Sequence, residues 1–121
     1  MRKSHMQHQR EIDRASDIEL DMERIEQDMR ESLLECQEFP LTFRNQFGVR
    51  VCSTFDIERV ETEMMTIDSD EFDAAMTLIL TGEPVKGAQR MKELQKRAIE
   101  QLIGLAPIRE AAEFTEMESA A

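Results

Sequence analysis

The chain of 121 residues contains no tryptophan and no tyrosine, and its six aromatic residues are all phenylalanine. Tryptophan and tyrosine are, with arginine, the usual anchors of protein interfaces. The remaining candidates for such anchors are therefore the arginines and three phenylalanines, Phe43, Phe47 and Phe55. Because phenylalanine is more often buried than exposed, we expect at least two of these three to belong to the core.

Cysteine is also scarce, with only Cys36 and Cys52 in the chain. Two cysteines are too few for a disulfide framework, so both are expected to be reduced thiols. No segment approaches the run of about 18 apolar residues that a membrane span requires. The N-terminus lacks the apolar centre of a signal peptide. These absences predict a cytoplasmic protein that does not act in a membrane.

The motifs of catalysis and metal binding are missing as well. Both histidines, His5 and His8, precede every acidic residue, so the Glu-x-x-His motif of di-metal bundles is absent. The two histidines and the two cysteines can be assembled into a zinc site on paper, but no Cys-x-x-Cys pair supports it. No P-loop or nucleophile-elbow pattern occurs. We therefore predict a protein that is not an enzyme and needs no metal or cofactor; an enzyme or metal carrier is the third alternative.

Basic residues are far outnumbered, with 15 against 26 acidic residues and a net charge of −11. Residues 11–38 hold eleven carboxylates and three arginines, and residues 54–73 hold eight carboxylates and one arginine. Residues 83–103 have the opposite balance, with five basic and three acidic side chains. Nucleic-acid binding needs clustered lysine and arginine, so we expect no direct nucleic-acid binding.

Residues 11–38 contain neither glycine nor proline, and their apolar residues recur in steps of three and four. This pattern predicts one long amphipathic helix that is stopped by Pro40. Four of its apolar residues fit a coiled-coil seam and are predicted to mediate oligomerisation: Ile18, Met22, Ile25 and Met29. The alternative to self-association is that the apolar face of this helix packs against the later helices of the same chain.

Residues 41–52 place apolar side chains near a period of two, with Asn45 and Gly48 as turn formers. The pattern predicts a small β-hairpin that lies against a helix. An irregular loop anchored by phenylalanines is the alternative.

Three further helices are predicted from capping residues, glycine stops and proline starts. The second of them is the most apolar and should bury Ile79 and Leu80 together with Phe72, Ala75 and Met76. The first of the three is predicted to begin at Ser53 or Thr54 and to end near Ile67. The second is capped by Asp68 and closed by Gly82, and the third begins at Pro84 and is broken by Pro107.

These elements together predict an all-α protein. We expect an irregular helical bundle with one long N-terminal amphipathic helix and a small β-hairpin. The chain is expected to comprise a mobile N-terminus at residues 1–10, a single helical domain at residues 11–106 and an acidic C-terminal tail at residues 107–121.

Residues 12–19, with the sequence IDRASDIE, resemble the opening helix of the short TraR-type transcription regulators. Members of that family continue into a four-cysteine zinc module. This chain has no Cys-x-x-Cys pair, so the resemblance covers the one segment and implies no zinc ligand or other site residue here.

The segregation of charge predicts the function. We expect a small acidic regulatory or inhibitory protein, of the kind that phages and other mobile elements use against host machinery, which binds a basic surface on a protein partner. Mimicry of nucleic acid is one form of this function, because aspartates four residues apart on a helix stand about 6 Å apart, like successive phosphates. The predicted partner-binding residues are Asp13, Asp17, Asp21, Asp28, Glu58, Glu61 and Glu63.

A solvated face of ordinary salt bridges explains most charge runs and is the alternative to a binding face. The alternative function is a structural or assembly protein, a chaperone or virion component, that acts through coiled-coil oligomerisation. Salt separates the two functions, because binding through charges weakens as salt rises whereas seam association is mainly apolar.

Overall fold

A computed structural model describes the backbone of residues 2–120 and the side chains of residues 17–118. Within that part of the chain, five helices accompany one antiparallel hairpin of two strands. The elements are α1 (Arg2–Leu34), β1 (Phe39–Arg44), β2 (Arg50–Phe55), α2 (Ile57–Ile67), α3 (Ser69–Leu80), α4 (Pro84–Leu105) and α5 (Ile108–Ala120).

The mostly helical architecture and the small hairpin confirm the coarse fold prediction. None of the helices in residues 2–120 has the length and apolar character that a membrane span requires.

The chain divides into two compact units, each built from separate stretches of sequence. The first unit comprises α1 up to Asp28, Leu41–Ser53 and the chain from Pro107 onward. The second unit comprises Met29–Pro40 and Thr54–Ala106. The predicted division into an N-terminus (1–10), a helical domain (11–106) and a tail (107–121) is a different kind of division, by continuous segments of sequence, and it stays a prediction.

Helix α1 ends at Leu34, earlier than the sequence predicts. The residue that ends it is Cys36, whose backbone has φ of +58° and is therefore left-handed. Two amides beyond the helix turn back to its last carbonyls: the N–H of Gln37 donates to Ser32 O at 2.8 Å, and that of Cys36 to Leu33 O at 3.2 Å. This is the Schellman arrangement, which usually places glycine at the left-handed position.

Replacing Cys36 by glycine is expected to raise the free energy of unfolding by about 1 kcal/mol, because glycine removes the Cβ penalty of the left-handed conformation. The Cys36 side chain is exposed, so its removal loses little packing. Denaturant unfolding measures the change. As a control, Cys52→Gly removes another exposed thiol from the interior of a strand and should destabilise. A Cys36→Gly variant no more stable than the wild type would contradict the assignment.

Asn45 organises the hairpin turn, which lies in the first unit. Its side-chain Oδ1 accepts hydrogen bonds from the N–H of Phe47 at 2.9 Å and of Val49 at 3.0 Å. Gly48 has φ of +76°, and its N–H donates to Asn45 O at 2.9 Å. Both residues therefore act as the turn formers that the sequence predicts.

The first unit buries side chains from β1 and α5. The guanidinium carbons of Arg44 and Arg50 lie 5.6 Å and 5.9 Å from the centre of the Phe114 ring, within the range of a cation–π interaction. The segment predicted to be an acidic tail thus carries a helix with buried residues. The buried side chains of this unit are Leu41, Ile108, Ala111, Ala112 and Phe114.

The second unit is organised around α4, which packs against both α2 and α3. Its buried side chains are almost all aliphatic or methionine, as a chain without tryptophan and tyrosine requires. They are Met29, Leu33, Phe55, Val60, Met64, Ala75, Leu94, Ala98, Ile99, Leu102 and Ile103.

The start of α2 differs from the prediction. Its N-cap is Asp56, whose side chain accepts a hydrogen bond from the N–H of Arg59 at 3.0 Å. The predicted caps, Ser53 and Thr54, are wrong because strand β2 continues through both of them to Phe55.

The boundaries of α3 and α4 follow the prediction. The Asp68 side chain caps α3 by accepting a hydrogen bond from the N–H of Glu71 at 3.1 Å. Gly82 follows α3 with φ of +95°, and Pro84 is the first residue of α4. These signals are local in sequence, which is why the sequence alone reveals them.

Helices α3 and α4 approach each other closely at Gly87, which is buried on α4. A Cβ atom at this position would lie 2.6 Å from Cγ1 of Ile79 and 2.7 Å from the carbonyl oxygen of Ala75. Both distances are too short for any real Cβ. The contact between the two helices therefore depends on glycine at this position.

Candidate functional site

The predicted partner-binding residues of α1 belong to the first unit. Asp17 and Asp28 are exposed and Asp21 is half-buried, whereas Asp13 lies outside the described side chains. None of the three described carboxylates forms a salt bridge with another side chain of residues 17–118. Their charges are therefore not neutralised within this part of the chain.

The predicted residues of α2 belong to the second unit. Glu58 and Glu61 are exposed and Glu63 is half-buried, and these three are also without a salt bridge among the described side chains. Glu58 and Glu63 share a cavity of about 400 Å³ whose lining does not include Glu61. The cavity is lined by Asp56, Glu58, Arg59, Thr62, Glu63 and Leu102.

Arg59 is the cation of this cavity, and it is held by the end of β2. Its guanidinium carbon lies 4.1 Å from the centre of the Phe55 ring, and its Nη1 donates a hydrogen bond to Thr54 O at 3.4 Å. The cavity therefore contains three carboxylates beside one anchored guanidinium. It has the composition of a surface that attracts cations.

The carboxylates at the start of α3 are arranged differently, because α4 pairs with them. Arg90 donates from Nε and Nη2 to the two carboxylate oxygens of Glu71, each at 2.7 Å. This hydrogen bond lowers the pKa of Glu71 and raises the pKa of Arg90. Nη1 of Arg97 lies 3.5 Å from Oδ2 of Asp68. The basic face of α4 therefore neutralises part of the second acidic segment.

A further ion pair joins the last part of α1 to α4 within the second unit. Arg30 donates from both Nε and Nη2 to the carboxylate of Glu100, with the Nη2 contact at 3.1 Å. The hydrogen bond from Arg30 lowers the pKa of the Glu100 carboxyl. An arginine of the acidic helix α1 is thus paired with a carboxylate of α4.

Intramolecular salt bridges reach only some carboxylates of the acidic segments. Ordinary salt bridging accounts for Asp68 and Glu71, which are outside the predicted binding set. It does not account for the described members of that set, which have no salt-bridge partner among residues 17–118. Sequence counts alone do not make this distinction, because they do not show which carboxylates α4 reaches.

The four predicted oligomerisation residues are not equivalent. Met29 is fully buried and belongs to the core of the second unit, whereas Ile18, Met22 and Ile25 are half-buried residues of the first unit. Burial of Met29 in a single chain is what packing against the protein's own elements requires. Self-association through the other three residues remains a prediction.

The three candidate phenylalanine anchors also differ. Phe55 is buried and Phe43 is half-buried, while Phe47 at the hairpin turn is 79% exposed. Of the three, only Phe55 is a fully buried core residue, so the expectation that at least two of them belong to the core is not fulfilled. The period-two pattern could not place Phe47, because this residue lies in the turn rather than in a strand.

A larger cavity, of about 600 Å³, lies between α3 and α4 in the second unit. The sequence pattern assigned Ile79 and Leu80 to the core, but Leu80 is 78% exposed and Ile79 is 36% exposed. Sequence analysis therefore missed this surface. The cavity is lined by Ile79, Pro84, Val85, Ala88, Gln89, Met91, Lys92 and Gln95.

Metal-binding groups do not cluster in the described part of the chain. Among the side chains of residues 17–118, no three histidines, cysteines or carboxylates are grouped so as to hold a metal ion. Cys36 and Cys52 are exposed free thiols, and His5 and His8 lie outside the described side chains. The prediction that no metal or cofactor is needed stays a prediction.

Comparison with protein-family models, curated proteins and solved structures finds no match to this chain. The resemblance of residues 12–19 to TraR-type regulators therefore gains no support from a family model. Function is inferred from the chain's own residues.

Proposed function

We propose that this chain is a small acidic regulatory or inhibitory protein that binds a basic surface on a protein partner through carboxylates of α1 and α2. The observation that supports the proposal is that the exposed Asp17, Asp28, Glu58 and Glu61 form no salt bridge with any side chain of residues 17–118. Unpaired surface carboxylates raise the rate at which a positively charged partner is encountered.

Nucleic-acid mimicry is the more demanding form of this function. A net charge of −8 over residues 11–38 corresponds to one charge per about 5 Å of helix, against one per about 1.7 Å in duplex DNA. One helix is therefore too dilute to imitate a duplex. Mimicry requires the carboxylates of α2 to contact the same partner site as those of α1.

The test begins with capture of partners from the native host on the immobilised full chain, followed by purification of any partner that salt elutes. Binding kinetics are then measured for the wild type and two triple variants, Asp13→Lys with Asp17→Lys and Asp21→Lys, and Glu58→Lys with Glu61→Lys and Glu63→Lys. Each variant should lower the association rate by about tenfold or more and flatten its salt dependence, because it removes electrostatic steering.

The control is a third triple variant, Asp70→Lys with Glu110→Lys and Glu118→Lys, which changes the net charge equally at other exposed carboxylates. It should keep most of the association rate, because the proposal assigns binding to particular carboxylates of α1 and α2 and not to the net charge. Equal losses in all three variants would show a general charge effect and contradict the proposal. If the partner binds nucleic acid, simultaneous binding of both at saturation would exclude mimicry.

The second candidate function is a structural or assembly protein that oligomerises through α1. It is favoured by the partial exposure of Ile18, Met22 and Ile25, since each keeps apolar surface that a second copy could cover. Its distinguishing property is association that persists at high salt, because contact through these residues is mainly apolar.

A further inference from the structure

The groove between α3 and α4 is an apolar surface that contains none of the proposed partner-binding carboxylates. Two apolar residues of its wall are accessible: Val85 is 71% exposed and Ile79 is 36% exposed. Contiguous apolar patches on soluble monomers frequently mark interaction sites. The volume of about 600 Å³ is large enough to receive side chains of a partner.

The groove is held in shape by the close approach of its two helices. Gly87 on α4 lies against the backbone of Ala75 and the side chain of Ile79, and Ile79 is itself part of the groove wall. Because backbone contacts backbone here, the spacing of the helices does not depend on a flexible side chain. The groove is therefore preformed.

Charge indicates what kind of segment fits this groove. Lys92 lines it and forms no salt bridge among the described side chains, whereas the neighbouring Lys86 and Lys96 pair with Glu83 and Glu93. A fitting segment should thus present an apolar side chain flanked by carboxylates. Residues of α4 line the groove at steps of three and four, which suits the ridge of another helix.

The chain itself contains such a segment in α1. Leu20 is 59% exposed, and the exposed Asp17 and Glu23 lie three residues before and after it. Residues three apart share a helix face, so the leucine is flanked by carboxylates on its own side. The apolar side chain and the surrounding charge both complement the groove.

We propose that α1 of one copy docks through Leu20 into the α3–α4 groove of a second copy, with Lys92 facing the carboxylates beside the leucine. The contact joins unlike surfaces, so a closed two-fold dimer contains it twice. It differs from the predicted seam, in which α1 would contact α1. It shares Asp17 with the proposed partner-binding residues but does not use the carboxylates of α2, so variants of α2 test the two proposals separately.

The test is sedimentation velocity of the full chain over a wide concentration range, with circular dichroism to confirm that each variant keeps its helix content. The wild type should dimerise, and Leu20→Glu or Val85→Glu should each raise the dimer dissociation constant by about tenfold or more, since each places a carboxylate in the apolar contact. Leu105→Glu is the matched control, because Leu105 is 68% exposed on α4 but does not line the groove.

Mixing the two variants distinguishes the groove from a seam between two copies of α1. The Leu20→Glu chain keeps an intact groove and the Val85→Glu chain keeps an intact α1, so the mixture should associate more tightly than either variant alone. A monomeric wild type, or a Val85→Glu variant that dimerises like the wild type, would overturn the proposal. The variant with Glu58→Lys, Glu61→Lys and Glu63→Lys should still dimerise, so failure of partner binding is distinguishable from failure of self-association.

Discussion

Replacing Gly87 by alanine is expected to lower the free energy of unfolding by about 1–3 kcal/mol, the usual cost of overpacking a well-packed site. The change removes a poor helix former, which by itself would stabilise α4 by about 1 kcal/mol. The steric term should win, because a Cβ would lie 2.7 Å from the carbonyl oxygen of Ala75 and 2.9 Å from the backbone nitrogen of Ile79. Backbone atoms cannot rotate away as a side chain can.

Gly104 provides the matched control on the same helix. A Cβ at this position would have no neighbouring atom within 4 Å outside its own helix. Gly104→Ala is therefore expected to raise the free energy of unfolding by roughly 0.5–1 kcal/mol through helix propensity. Chemical denaturation of both variants measures the difference. A Gly87→Ala protein as stable as the Gly104→Ala protein would contradict the close contact of α3 with α4.

The elements that the sequence predicts well are those specified by neighbouring residues. Asn45 satisfies two amides of its own turn, and Asp68 satisfies an amide three residues later. Gly82 and Pro84 likewise separate two helices by their own backbone preferences. Such signals do not depend on the rest of the fold.

The elements that the sequence misses depend on contacts or on an uncommon conformation. Cys36 ends α1 in a left-handed conformation that the sequence would suggest only for glycine or asparagine. Asp56 caps α2 instead of Ser53 or Thr54, because strand β2 continues through both of these residues to Phe55. Helix propensity and capping rules give no information on where a strand stops.

The candidate site, too, is predicted by the sequence only in part. Sequence locates every carboxylate but not its partners, so Glu71 and Glu58 look alike until Arg90 is found beside the first. Apolar periodicity likewise predicted burial for Leu80, which lies at the end of α3 and is exposed. A residue's position along the helix axis decides whether a neighbouring element covers it, and periodicity carries no such information.

Helix α1 shows that residues of one apolar row can differ in burial. Ile18 and Ile25 fit the steps of a coiled-coil seam, and Met29 continues the same steps, yet Met29 is completely buried. Full burial begins at Met29, where the helix passes from the first unit to the second. A heptad pattern therefore does not separate residues that face a second copy from residues that belong to the chain's own core.

Substituting aspartate for Met29 should unfold the second unit. Met29 has no exposed surface, so the new carboxylate would lose its hydration in an apolar site, at a cost of several kcal/mol even if it becomes protonated. That cost is comparable with the total stability of a small domain, which is about 5–15 kcal/mol. We expect the wild type to show a cooperative thermal transition by circular dichroism and the variant to lose it.

The matched control for Met29→Asp is Leu34→Asp, which lies on the same helix and in the same unit but is 40% exposed. It should cost less than about 1 kcal/mol, the range of an exposed substitution with an unfavourable charge at a helix C-terminus. Protein concentration identifies the origin of the Met29 effect. If Met29 belongs to an intramolecular core, the difference in stability between variant and wild type is independent of protein concentration. If it belongs to a seam between copies, that difference becomes smaller in dilute solution, where the wild type is also dissociated. A Met29→Asp protein that melts like the wild type in dilute solution would show that Met29 belongs to an intermolecular seam and not to the core.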